Sequence, residues 1–419
     1  MLENLFCSSV FRSVDCFFGY ANSLLELPFA CAGVIEIRSP QDAKTDLFEH
    51  IFIILHKLFK RISAKPGMGR ETYRARIITT RTALALKSEG YQCFDPHVHS
   101  SYSYDVANVS ETKPAYIVEH ERDMGMIPII TDHDTMDGYA ALKSKRLHDG
   151  VIPAVEIRIK PQKCKYGAGL GEIHTLHVNV FGLNTQQFRI LEKIAHEKDL
   201  DAFIDYLRSE KLHYLYNHPF WHEHHERLNW KAVPLLARHY FDVLEINAGR
   251  SFALNNVTMY IAEQLQKGVV ASTDTHTGNP GKAFVIAQGK DFDECWEHIK
   301  SRKMFIVRKD LTPAFVAGET SRVISQVFSA NARQMKAKQY QMDSHLPLFD
   351  NLAKKVSYGS WKDRHAFKMV IKTILKGCNY SLGPMLAWYF YTKKDNKFGE
   401  HITHPIKKIV RHAKNQDSL

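Results

Sequence analysis

Histidines and carboxylates recur along this sequence at spacings that could hold divalent cations. His97 and His99 stand two positions apart in Asp95-Pro96-His97-Val98-His99, and Asp105 follows soon after. Asp132-His133-Asp134 comes directly after the apolar run Ile127–Thr131. Glu156, then His174 and His177, then His218 in Asn217-His218-Pro219, and finally Asp274-Thr275-His276 continue the series. On an extended segment, residues two apart share a face, so His97 and His99 can reach one cation or two adjacent ones. Neutral imidazole offers a lone pair near neutral pH. Nitrogen and oxygen donors without thiolate suit Mn²⁺, Zn²⁺ or Fe²⁺. One histidine on a strand is ordinarily a hydrogen-bonded core residue. A dozen titratable groups buried together would be costly without cations among them.

These side chains need elements that bring them together. Thr82–Ser88 reads as a helix stopping near Gly90, and Tyr91–His99 as extended. Pro114–Met124 reads as a helix stopped by Gly125, and Ile127–Thr131 as a strand buried on both faces. Helical Tyr139–His148, strands Val151–Ile159 and His174–Phe181, and one long helical region Gln186–Lys211 follow. Strand His213–Tyr216, helix Ala232–Tyr240, strand Asp242–Asn247, helix Asn256–Lys267 and strand Val269–Thr273 repeat the alternation. Phe284–Ala287 and Met304–Val307 read as final strands. Alternating helices and strands predict an α/β fold with a largely parallel sheet. Six or more units over roughly 220 residues suit a closed barrel, which gathers functional groups at the C-terminal ends of its strands. The expected organisation is a mainly helical region 1–85, a barrel 86–315 and a basic helical region 316–419.

The ordered set His-x-His, Asp-His-Asp, Glu, His, His-Pro and Asp-x-His resembles the PHP (polymerase and histidinol phosphatase) domain, from about Asp95 to Ala287. Thr131-Asp132-His133-Asp134-Thr135 is most similar to the stand-alone phosphoesterases of that family. The resemblance implies a distorted (β/α)7 PHP-type barrel holding two or three divalent metal ions (Mn, Zn or Fe). It implies hydrolysis of a phosphate ester by a water the metals activate. The implied ligands are His97, His99, Asp105, His133, Glu156, His177, His218, Asp274 and His276, with Glu156 bridging two metals. Asp105 lies one residue further from His99 than in many relatives, and His174 is the alternative to His177. Asp132 and Asp134 are expected to orient ligands. Arg158, Arg250 or Lys282 is expected to contact phosphate, Lys282 because Pro280-Gly281-Lys282-Ala283 resembles a family position. His222, His224 and His225 read as a solvated loop, with lining of the pocket as the alternative. Glu245 and Asn247 read equally as substrate-binding or structural.

The remaining composition narrows the class. At 419 residues, with 44% hydrophobic and 24% charged, the chain has the balance of a globular protein. Its seven cysteines include no Cys-x-x-Cys pair, which argues against a disulfide framework or zinc–cysteine site. The +11 formal charge is concentrated in Arg322–Leu419, which has 18 basic and 6 acidic residues. Such a segment points to an anionic partner, nucleic acid or an anionic membrane surface. Leu47–Ile62 and Gly377–Tyr391 fall short of a membrane span; the first reads as a packed core helix, with contact with a bilayer surface as the alternative for either. The start of the sequence is a poor secretion signal. The expected location is cytoplasmic, with peripheral membrane contact open. The expected substrate is a small phosphomonoester, a nucleotide or an oligonucleotide end. The rivals are a hydrolase of a non-phosphate substrate and a non-catalytic regulatory metal-binding module.

Overall fold

The structure, a computed structural model, describes residues 76–312 except 168 and 224, parts of 315–326, and the helix Gly383–Asn415. The chain divides into two compact units, 1–66 and 67–419, and every described residue belongs to the second. Most of the expected N-terminal helical region, Leu47–Ile62 within it, and residues 377–382 lie outside the described residues. No helix among the described residues is long and apolar enough to cross a membrane.

In chain order the elements are α1 (Thr80–Lys87), β1 (Tyr91–Phe94), α2 (Pro114–Asp123), β2 (Ile129–Ile130), α3 (Asp137–Ser144), β3 (Ile152–Ile159) and β4 (Leu176–Phe181). Then come α4 (Thr185–His196), α5 (Leu200–Ser209), β5 (His213–Tyr216), α6 (Val233–His239), β6 (Val243–Asn247), α7 (Phe252–Gln264) and β7 (Gly268–Ser272). They close with β8 (Phe284–Gln288), α8 (Phe292–Lys300), β9 (Met304–Val307) and α9 (Gly383–Asn415). Local chemistry sets many of the ends. Pro114 opens α2, and Gly125 at φ +63° turns the chain out of it. Asn184 caps α4 in a capping box with Gln187. Asp199 and Asp291 cap α5 and α8 through their carboxylates.

Six strands form a mixed sheet in the order β2-β3-β4-β5-β6-β7. The pairs β2–β3, β5–β6 and β6–β7 are parallel, but β4 runs antiparallel to both β3 and β5. This corrects the largely parallel sheet. Parallel neighbours need a long crossover, usually a helix, and among its described residues the link from Ile159 to Leu176 has only a short 3-10 turn. The extended stretch Tyr91–His99 is also divided. Only β1 is a strand, and it joins an antiparallel β1-β8-β9 sheet. Past Pro96 the chain leaves that sheet and reaches both edges of the larger one. Thr131 N–H donates to the Val98 carbonyl, while His99 N–H donates to Thr275 and Asp274 N–H to His97. Because β2 and β7 both meet this one tripeptide, the six-stranded sheet must curl round. Its strand ends face inward where the histidines stand.

The expected long helical region Gln186–Lys211 is made of two helices, separated where Lys198 takes φ +58°. Helix α8 was not anticipated. It seats Phe292 5.1 Å from Phe94 and Trp296 4.8 Å from Phe181, tying the two sheets together.

Candidate metal centre

Four donors converge where the sheet closes. His97 Nε2 and His99 Nε2 are 3.0 Å apart. Each is 3.2 Å from Glu156 Oε2, and Asp274 Oδ1 lies 3.3 Å from His97 and 3.2 Å from His99. Donors spaced this way around a tetrahedron share a centre about 2 Å from each, the distance of zinc to nitrogen or oxygen ligands. The tautomers agree with that role. His97 Nδ1–H donates to Glu245 Oε1 at 2.7 Å. His99 Nδ1–H donates to Ser103 Oγ at 3.0 Å, and that hydroxyl donates onward to Asp132. Both Nε2 lone pairs therefore face the same point, where they repel unless a cation or proton lies between them.

Glu156 is the hub, and it is fully buried. Its Oε2 faces His97, His99 and His133, whose Nδ1 is 2.9 Å away. Its Oε1 accepts from His177 Nδ1–H at 2.9 Å and from Asn217 at 2.7 Å, with His218 Nε2 at 3.5 Å. Asp105 Oδ2 lies 2.9 Å from His276 Nε2 and 3.4 Å from His133 Nε2. The extra residue before Asp105 thus does not keep it from the cluster. Four buried atoms here have no hydrogen-bond partner: Asp105 Oδ1, His133 Nδ1, Glu156 Oε2 and His177 Nε2. Buried polar atoms are nearly always satisfied, so orphans aimed into one cluster fit bound cations. Triads spaced for a metal include His97–His99–Glu156, His99–His133–His276, His133–Glu156–His177 and His97–His218–Glu245.

The backbone is bent to deliver these groups. Asp134, His218 and Asp274 have φ of +48°, +23° and +52°. Asp and His adopt positive φ more readily than most residues with a Cβ, at a cost of about 1–3 kcal/mol each. His218 is held in place by its N–H donating to Glu245 Oε2 at 2.5 Å. Beyond His276, Gly278 (φ +68°) lies so close to Glu111 that a Cβ would collide with that residue's carbonyl. Buried Asp95 accepts from Thr273 and Gly281 backbone N–H at 3.0 Å each, clamping the His-x-His segment to the end of β7. Burial pushes the Asp95 carboxyl up to about 7, against the pull of those hydrogen bonds.

Charge coupling is strong. Burial pulls the His97 pKa down, but Asp274, Glu156 and Glu245 outweigh it and push it well above the usual value. His133 is raised likewise against its burial by Glu156 and Asp105, and His276 reaches about 9 through Asp105 and Asp274. Burial also works against ionised Glu156, Asp105 and Asp274, yet the surrounding imidazoles hold all three well below the usual carboxylate range.

Among the alternatives, the structure brings His177 to the cluster and not His174. His174 is buried beside Glu226 and His222, and burial lowers it to about 4. Asp132 accepts from Ser100 backbone N–H and hydroxyl, both at 2.7 Å, and so steadies His99 through Ser103. Asp134 does not orient a ligand, which corrects that expectation. Its carboxylate holds Arg158, Oδ2 accepting from Nε at 2.6 Å. Arg158 sits directly across the β3–β4 ladder from His177, with Nη1 3.2 Å from the Tyr104 hydroxyl. Lys282 donates to Glu319 Oε1 at 2.7 Å. His222 is half-buried, His225 is exposed and His224 lies outside the described residues. Within that loop Glu223 is buried, Oε1 3.6 Å from His177 Nε2 and 3.8 Å from Arg158. Sequence reasoning did not assign Glu223, Ser103 or Tyr104. Glu245 had a detectable signal, a carboxylate inside the apolar strand Val243–Asn247.

Carboxylates behind metal-bound histidines are typically worth about 10–100-fold in metal affinity. Glu245→Gln and Asp132→Asn are expected to weaken Mn²⁺ or Zn²⁺ binding by that order in isothermal titration. Unchanged affinity in both would remove their positioning role.

No family model matches this sequence, and no curated protein matches it. Solved structures give partial likenesses. PsfC from Pseudomonas syringae PB-5123 superposes with TM-score 0.41 at 17% identity, covering 56% of this chain and 99% of its own. A two-domain protein from Bacteroides vulgatus ATCC 8482, described as containing a predicted PHP-like metal-dependent phosphoesterase, gives TM-score 0.38 at 13% identity, covering 57% and 71%. The lesion-specific endonuclease PfuEndoQ from Pyrococcus furiosus gives TM-score 0.36 at 15% identity, covering 52% and 57%.

Proposed function

We propose that this chain is a metal-dependent phosphoesterase of PHP type, hydrolysing phosphate esters at the cluster centred on Glu156. The observation that carries the reading is Glu156 Oε2. It is buried, lacks a hydrogen bond, and lies 2.9–3.2 Å from nitrogens of three histidines. The order of the sequence motifs supports the same reading. Divalent ions bound there would supply Lewis acidity to phosphoryl oxygens and acidify a water. The donor set suits Mn²⁺, Zn²⁺ or Fe²⁺.

The chain's own groups account for the rest. Glu156 turns Oε2 to His97, His99 and His133 and Oε1 to His177 and His218, so it would help to hold ions bound among either group. Arg158 stands at the rim with Asp134 and Tyr104 taking two of its five donors. Its other N–H groups can meet phosphate oxygens in bidentate fashion. Arg250 has a buried Nε without a partner and lies 5.8 Å over Trp221. That indole stands edge-on to His177 and His218, at 4.6 and 5.3 Å. Two arginines thus flank the His177–His218 side, where substrate charge would be met.

The test is a panel of p-nitrophenyl phosphate, bis(p-nitrophenyl) phosphate, carboxyl esters and a lactone, with Mn²⁺, Zn²⁺ or Fe²⁺ against EDTA. The expected result is metal-dependent hydrolysis of a phosphate ester. Turnover of an ester or lactone but of no phosphate would overturn the reading. Arg158→Ala is expected to lower kcat/KM by about a hundredfold, the order seen when a transition-state donor is lost. Lys282→Ala should stay within about fivefold, because its charge is already committed to Glu319. A larger loss from Lys282→Ala than from Arg158→Ala would reverse these roles.

A further inference from the structure

The C-terminal helix α9 lies along α7, and the contacts fix its direction. Gly399 nestles against the start of α7, where a Cβ would stand 2.8 Å from that of Ala253. Lys414 Nζ donates to Gln264, at the far end of α7, at 2.9 Å. The two helices therefore run the same way. α7 begins just after Arg250, close behind the end of β6, where Asn247 donates to Asp274 of the metal centre at 3.1 Å. The sixteen residues of α9 before Gly399 continue past that start by about 24 Å at 1.5 Å per residue.

One face of α9 is already committed. Ile402, Ile406, Val410 and Ala413 are buried in the barrel unit. The opposite stripe, at helical spacings of three and four, is Lys393, Lys397, His401, His404, Lys408 and Arg411, all exposed. Between Lys393 and Lys414 there are seven Lys and Arg against two acidic residues. Phe252 lies at the start of α7, between Arg250 and the Gly399 contact. It is 48% exposed, with the Arg308 guanidinium 4.8 Å over one face of the ring, so a base would stack on the other face.

We infer that the path from Arg250 past Phe252 to Lys397 and Lys393 is a track for a single nucleic-acid strand, whose phosphodiester is presented to the metal centre. A row of cations follows a phosphate backbone, and an exposed ring gives a base a stacking surface. An anionic membrane fits this helix less well. Surface helices hold bilayers by inserting an apolar face, and beside the cationic row the apolar face of α9 (Ile402, Ile406, Val410 and Ala413) is spent on α7 and α6; the apolar turns Met385–Tyr391 lie ahead of that row, and the vesicle arm of the test reads them. As an assignment of substrate class, the inference rests on the phosphoesterase reading. The binding surface can be tested without it.

The experiment is fluorescence anisotropy of a fluorescein-labelled single-stranded oligonucleotide with the full chain, across a salt series. The variants are Lys393→Gln/Lys397→Gln, Lys407→Gln/Lys408→Gln and Phe252→Ala, with thermal melts confirming that each folds. The first pair should weaken binding and flatten the log–log salt dependence by about 1.4, roughly 0.7 for each lost single-strand phosphate contact. Phe252→Ala should weaken binding at least about fivefold with the salt slope kept, as stacking without charge requires. The second pair, further from the metal centre, should have a smaller effect than the first. Unchanged affinity and slope in all three variants would overturn the proposal. So would sedimentation of the wild type with phosphatidylcholine–phosphatidylserine vesicles when it does not bind the oligonucleotide. Hydrolysis of bis(p-nitrophenyl) phosphate by the wild type reports on the metal centre separately, so a failure there leaves the binding result to stand or fall by itself.

Discussion

Glu156→Gln is expected to abolish metal-dependent hydrolysis while the fold persists. The amide can keep its oxygen where Oε1 now accepts from Asn217 and His177, at 2.7 and 2.9 Å. Its NH2 then stands where Oε2 faced His97, His99 and His133. Two hydrogens point into the position of the cation, and the charge that balances it is gone. Supporting carboxylates alone are worth about 10–100-fold, so loss of the central one should cost more than about a hundredfold in turnover. Metal analysis of the purified variant should show fewer bound ions than the wild type. A Glu156→Gln protein with full metal content and full activity would move the chemistry elsewhere.

The second large effect is a pH dependence that differs with and without metal. His97, His133 and His276 have raised values, so their pairing stabilises the metal-free protein fully below the ordinary histidine value of about 6.5. That contribution is lost as pH rises through the folded values, about 9 for His276. Asp105, Glu156 and Asp274 are depressed, so their contribution is present above the ordinary carboxylate range and lost only in strong acid. From about pH 6.5 to 9 the metal-free protein should therefore lose stability. Metal needs the deprotonated imidazoles and competes with their protons, so its affinity should rise over the same interval. The thermal shift from adding Mn²⁺ or Zn²⁺ to EDTA-treated protein should widen between about pH 6 and pH 8. It should reach roughly 5–10 °C at an ion concentration of about 100 times Kd. A shift that is constant or shrinks over that interval would contradict the coupling.

Much of the centre was legible because its residues sit at strand ends beside short apolar runs. Position along the chain then already implies position on the rim. Asp132-His133-Asp134 after Ile127–Thr131, and Asp274-Thr275-His276 after Val269–Thr273, are of this kind. What escaped was information carried between distant segments. The antiparallel course of β4 had a local sign, the lack of a helical pattern between Ile159 and Leu176. That sign was outweighed by the alternation on either side. The departure of the His97–His99 segment from β1 is marked by Pro96, which cannot donate to a ladder. Asp134 and Asp132 flank the same histidine and looked equivalent. Only the fold shows that one reaches Ser100 and Ser103 while the other reaches Arg158. Lys282 likewise pairs with Glu319, 37 residues away, a partner that no local pattern announces.

Anomalous diffraction from crystals grown with Mn²⁺ tests the central claim most directly. The prediction is at least two peaks enclosed by the donors described here. One should lie among His97 Nε2, His99 Nε2, Glu156 Oε2 and Asp274 Oδ1, about 2 Å from each. Another should stand beside it, with Glu156 between them. A well-ordered map with no peak there, and the imidazoles instead hydrogen-bonded directly to the carboxylates, would contradict the account.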